Sequence, residues 1–311
     1  MTSTAAPAPA PGRDVRRRRR PARAAWTWQQ AVTGLVLVGG VGVLLYPTAS
    51  EWFAARVHAT EVSGYVDYAG SLADAERERQ LADARDYNAN LPAGPLRDPY
   101  ILNDSGEVVD LRDGEEDYLR QLAGSPGEVM ARVRIPTIDV DLPIYHGTDE
   151  ATLTKGVGHL FGTGLPIGGP STHAVLTAHS GLPSATLFTH LDRVEVGELF
   201  SVTVLGEDLY YQVDQIRMVE PNVADDLRQI AGEDHVTLVT CTPTGVNSHR
   251  LLVRGTRVDA PAAGAEPSGG SFDANASDPG FPWWAPALLG AGTGTYLLLR
   301  PRRRDADQGR A

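Results

Sequence analysis

The stretch VTLVTC (236–241), followed by TPTGVNSH (242–249) and then RLLVRGTRV (250–258), sets the architecture. Both apolar runs are short and rich in β-branched residues, and the Pro and Gly between them end one strand and allow the chain to return as the next. Five similar runs precede them, at 131–135, 140–144, 174–178, 200–205 and 209–213, with Gly-bearing connections such as 162–169 between them. This pattern predicts a mainly β domain over 118–260, a closed barrel or sandwich of about eight strands.

Working outward, residues 51–91 predict helices, because apolar positions such as Leu72, Ala75 and Ala82 recur at helical spacing among many Ala, Glu and Arg. A Pro- and Gly-bearing stretch, 91–114, then breaks the pattern and predicts a loop. Further out, Ala24 to Ser50 contains no charge, with a nearly continuous apolar run from Val32 to Leu45 between Trp26, Trp28 and Tyr46. That composition predicts a membrane anchor with aromatic residues at its edges. Pro279 to Leu299 is a second uncharged stretch, interrupted by Pro282, Pro286 and several Gly.

The expected organisation is a basic tail (1–30), an anchor (31–48), juxtamembrane helices (49–92), a loop (93–117), the β domain (118–260), a flexible linker (261–278), a second transmembrane segment (279–299) and a basic tail (300–311). The tails carry net charges of +6 and +3, which leaves −20 of the total −11 for the residues between. Nucleic-acid binding is therefore not expected, since phosphate neutralisation needs a basic surface. Arginines before the first apolar segment and after the second put both termini in the cytoplasm by the positive-inside rule, with the β domain outside at the cell membrane. A cleaved signal peptide, with small residues at 48–50, is the alternative, and it too exports the domain.

The one cysteine, Cys241, excludes an intramolecular disulfide and any multi-Cys metal site. It closes an apolar strand beside a loop, where a site can open, and a lone exported thiol calls for a chemical reason. Arg250 opens the following strand, so the turn between them can bring its guanidinium beside the sulfur, where a cation stabilises a thiolate or an oxyanion. Eight histidines could supply acid–base chemistry: His58, His146, His159, His173, His179, His190, His235 and His249. His179 ends the run AVLTA and begins a Ser-Gly-Leu-Pro turn, the same strand-end placement as Cys241. No His pair has the helical spacing or Cys partners of a zinc site, so neither metal nor cofactor is expected.

The strings TLVTC (237–241), GVNSHRLLVRG (245–255), GHLFGTGLPIGGPSTHAVLTAHSGLPSATLFTHLD (158–192) and DPY (98–100) together resemble class C sortases, the pilus-assembling transpeptidases of Gram-positive bacteria, here of actinobacterial type. The resemblance covers roughly residues 95–258 and extends to the two-anchor layout. It implies a sortase-type closed barrel with Cys241 as nucleophile, His179 as general acid and base, and Arg250 as stabiliser of the oxyanion or substrate carbonyl. It also implies a lid, Asp98, Pro99 and Tyr100, in which Asp98 pairs with Arg250 and Tyr100 covers Cys241; an aromatic other than Tyr is more usual there. The implied substrates are pilin or surface proteins with an LPxTG-like sorting signal. The implied acceptor is a pilin lysine or, in a housekeeping enzyme, a peptidoglycan-precursor amine.

Two other classes bear on the same residues. Serine hydrolase chemistry finds no GxSxG elbow around Ser180 or Ser184. A membrane-tethered β domain that binds a wall component without catalysis requires Cys241 to be buried and unreactive.

Overall fold

The computed structural model describes residues 26–91, 114–221, 225–261, 272 and 277–300. The described chain forms two compact units, one from the residues up to Leu44 together with those from Pro286 onward, the other from Leu45 to Ala285.

Eight strands close into a barrel in the order β1-β2-β3-β4-β7-β8-β6-β5. They are β1 (Val129–Ile135), β2 (Val140–His146), β3 (Val157–His159), β4 (Thr172–Thr177), β5 (Leu199–Val204), β6 (Glu207–Val219), β7 (Asp234–Thr242) and β8 (His249–Val258). All neighbours pair antiparallel except β2 with β3 and β4 with β7, which are parallel. The seven apolar runs of the sequence are all present. β3 is the eighth strand, and its three residues are too few to show an alternation. Of these, His159 is fully buried, its Nδ1 bonded to the Tyr118 hydroxyl (2.9 Å) and its Nε2 to the Gly164 carbonyl (2.8 Å).

Strand alternation separates two apolar sets. Ala174, Leu176 and Ala178, Val236 and Leu238, and Leu251 and Val253 join the main core with Phe200, Val202 and Tyr211. Val175, Val239 and Leu252 point the other way and form a second cluster with Leu160, Val219 and Leu227. The sheet of β4, β7, β8 and β6 thus carries apolar residues on both faces, one set closing the barrel and the other joined by Leu227 from between β6 and β7.

The helices are α1 (Trp28–Ser71), α2 (Asp74–Ala89), α3 (Glu115–Arg120), α4 (Glu150–Lys155) and α5 (Trp284–Leu299). The expected boundary after residue 48 is absent: α1 is continuous through Pro47 and ends at Ser71. Its outer half is tied to the barrel by Tyr65, whose buried hydroxyl donates to the Met130 carbonyl (3.1 Å) and accepts from the Leu205 amide (2.7 Å). The buried face of α2 is Leu81 and Ala84, whereas Ala82 is exposed. Residues 115–117, expected in the loop, already belong to α3, whose Tyr118 packs into the core.

The second membrane segment is shorter than the uncharged stretch that suggested it. α5 has 16 residues, about 24 Å of helix against the ~30 Å of a hydrocarbon core. Pro279 to Trp283 is not helical, as Gly280 and Pro282 dictate, and among the described residues α1 alone is long and apolar enough to cross a membrane. Within the smaller unit the two apolar segments touch, Trp26 stacking on Tyr296 at 5.8 Å.

Candidate active site

The three residues singled out lie at one end of three neighbouring strands, Cys241 on β7, Arg250 on β8 and His179 two residues beyond β4. Cys241 and Arg250 are direct cross-strand partners of β7 and β8, so their side chains share a face. β4 pairs with β7 up to Thr177 and Val239, and the Ala178 amide continues the ladder to the Val239 carbonyl (3.2 Å). Thr240 Oγ1 then donates to the Ala178 carbonyl (2.8 Å). Carrying this register forward sets His179 beside Cys241. All three residues have the parity of Val175, Val239 and Leu252, which sets them on the outer face of the sheet, the face that carries the second apolar cluster.

Two loops frame this end. The segment after β4 turns at Ser180 and Gly181 and is held by the Phe188 amide on the His179 carbonyl (3.1 Å) and by the Gly181 amide on Thr189 Oγ1 (2.9 Å). Ser180 Oγ and Thr244 Oγ1 bond at 2.9 Å, joining it to the loop between β7 and β8. Gly181 has φ +77°, and a Cβ there would fall 2.4 Å from Thr244 Cγ2, so this close approach needs glycine. In the β7–β8 loop the Val246 and Asn247 amides turn back onto the Pro243 carbonyl (3.0 and 2.9 Å). Arg250 Nη1 donates to the carbonyls of Asn247 and His249, both at 3.2 Å.

Cys241 and Arg250 are each 8% exposed, and the His179 side chain 18%. His179 Nε2 lies 3.4 Å from a carboxylate oxygen of the exposed Glu150, at the start of α4. A thiol between an imidazole and a guanidinium, at the rim of an apolar floor, can attack an acyl carbon, pass a proton to and from a leaving or entering amine, and stabilise a tetrahedral oxyanion. The loop residues Asp98, Pro99 and Tyr100 lie outside the described residues.

The strand-end positions of His179, Cys241 and Arg250 were legible in the sequence. Glu150 and the apolar floor were not. The floor's signal was present as the odd-numbered apolar residues of β4 and β7, but it emerges only once interior and exterior parity are assigned.

The sortase domain model matches residues 133–258. The crystal structure of sortase C-1 from Actinomyces oris is 50% identical, aligned over 59% of this chain and 99% of that one, with TM-score 0.55. Streptococcus agalactiae sortase C1, solved in complex with MTSET, is 45% identical over 65% of this chain and 96% of that chain, with TM-score 0.58. Sortase A of Streptococcus agalactiae is 27% identical over 117 residues, 37% of this chain, and the match spans about half, 47%, of that relative's length.

Proposed function

The chain belongs to the sortase family, whose members are cysteine transpeptidases, and from this membership we propose that it is a class C enzyme that polymerises pilins outside the cell membrane. The Cys241 thiolate attacks the threonine carbonyl of an LPxTG-like signal, and Arg250 stabilises the oxyanion. As the Thr–Gly bond breaks, protonated His179 gives its proton to the departing glycine amine and a thioester remains. A pilin lysine amine then attacks the thioester, loses a proton to the now neutral His179, and releases the thiolate with an isopeptide bond formed. α1 holds the domain at the membrane, with the basic N-terminal tail cytoplasmic.

The observation that carries this reading is the direct register of Cys241 with Arg250, with the β4 ladder continued past Thr177 toward His179. The packed outer cluster of Val175, Val239, Leu252, Val219, Leu160 and Leu227 gives this face the rigid apolar backing that a groove for the Leu and Pro of the signal needs. Similar solved structures include a sortase C1 of a group B Streptococcus pilus island, 43% identical, which supports pilin polymerisation over housekeeping anchoring. Co-expression of the full chain with an LPxTG-bearing pilin should yield SDS-resistant ladders that vanish with Cys241→Ala. Attachment of single pilins to peptidoglycan without ladders would favour housekeeping anchoring, and no thioacyl adduct on Cys241 would leave a non-catalytic wall-binding domain.

A further inference from the structure

The cover over the apolar floor is pinned to the sheet by a histidine far from the triad. The connection between β6 and β7 includes a short 3-10 turn, Asp225–Leu227, and Leu227 enters the outer cluster at 4% exposure. The far end of this connection is tied to the edge of β4, the Gly232 amide to Ser171 Oγ (2.8 Å) and the Thr172 amide to the Glu233 carbonyl (3.1 Å). Beside Leu227, the Arg228 carbonyl accepts from His173 Nδ1 at 2.9 Å. His173 is on β4, is 1% exposed, and has the parity of Val175 and His179, so it rises from the outer face itself. A carbonyl can only accept, so His173 Nδ1 carries the proton. The neutral ring's Nε2 then accepts from the Thr237 hydroxyl at 2.7 Å, and both nitrogens are engaged in one orientation.

We propose that His173 is a positioning residue for the substrate: through Thr237 on one side and the Arg228 carbonyl on the other, it fixes Leu227 and the connection that carries it, which form one wall of the groove for the apolar part of the sorting signal. The Arg217–Asp226 ion pair (2.6 Å) is a second tie on the same turn, but from the half-exposed rim. Burying a histidine with both nitrogens matched to fixed partners sets one geometry, whereas a surface pair allows many. The inference rests on the outer face being the sorting-signal groove.

The test uses the full chain in detergent micelles, a fluorogenic LPxTG peptide and hydrogen exchange across 225–233. His173→Leu is expected to raise KM about tenfold with kcat within about twofold of the parent, and to speed exchange across 225–233 while leaving 236–241 protected. His173→Asn, whose side-chain amide can donate to the same carbonyl, should restore KM to within about threefold. Thr237→Val, which keeps the volume but removes the Nε2 partner, should shift KM the same way as His173→Leu if the latter folds poorly. Unchanged KM and unchanged exchange in both His173→Leu and Thr237→Val would overturn the positioning role. Should the parent fail to cleave the peptide while exchange still rises in the variants, the clamp stands and the groove assignment falls.

Discussion

The outer face of β4, β7 and β8 carries histidine and arginine at both ends, and the two ends are built differently. At one end stand His179, Cys241 and Arg250; at the other His173, His235 and Arg254, with His173 and His235 in direct register. Arg254 forks onto the Asp214 carboxylate through Nε (3.1 Å) and Nη2 (2.5 Å), and both nitrogens of His173 are bonded to fixed partners. Arg250 instead bonds carbonyls of its own turn, and His179 meets an exposed carboxylate at 3.4 Å. The same residue types are therefore set beside loops at one end and, for His173 and Arg254, held by fixed partners at the other. What separates them is that Cys241 and Arg250 open onto loops, whereas His173 and Arg254 are closed by fixed hydrogen bonds; between these two, His235 meets the half-exposed Glu233 carboxylate (3.1 Å).

The largest expected contrast comes from removing each arginine. Arg250→Ala should lower kcat for peptide cleavage by about 10²–10³-fold with little change in melting temperature, as loss of an oxyanion donor does. Arg254→Ala should leave kcat within about twofold and cost about 1 kcal/mol of stability, the scale of a partly exposed pair. Equal activity losses in both would erase the distinction between the ends.

Acidification should sharpen it next. Burial depresses the pKa of His173 to about 4, against the opposing effect of the Arg228 carbonyl, and burial likewise depresses that of His159 to about 4. Both rings are neutral in the fold, whereas in the unfolded chain they take up a proton below about 6.5. The unfolded state binds more protons in that window, so stability falls as pH drops from about 6.5 to about 4 and is flat above it on their account. Thermal melts over this range should show the decline, and His173→Asn should make it shallower; a slope identical to the parent's would contradict the assignment.

A further contrast should come from the loop that frames the triad. Gly181→Ala forces a Cβ at positive φ against Thr244 and should destabilise by about 1–3 kcal/mol, the scale of overpacking. Because the bond from Ser180 to Thr244 is in the same contact, kcat should fall together with stability, as seen in parallel melts and peptide assays. Pairing the change with Thr244→Ser, which keeps the hydroxyl and drops the clashing methyl, should recover most of both.

The barrel was legible because its strands are short, β-branched and bounded by Gly and Pro, a signal that is local and survives without contacts. β3 escaped because three residues cannot display a period, and α3 and α4 because six residues are under two turns. The second apolar segment misled in the opposite direction: lack of charge at 279–283 resembled a membrane span, but Gly280 and Pro282 keep those residues out of the helix.

By itself the sequence determined that Cys241, Arg250 and His179 end or begin strands, since apolar runs and turn residues are neighbours along the chain. It also determined an acidic domain between apolar segments, since charge and hydropathy need no fold to be read. Only the tertiary structure decided that parallel pairing of β4 with β7 brings His179 beside a cysteine 62 residues later, and that His173 faces the carbonyl of Arg228. Those relations depend on register and on which face of the sheet is inside. Both are fixed by the joint packing of all eight strands, and no single stretch of chain contains them.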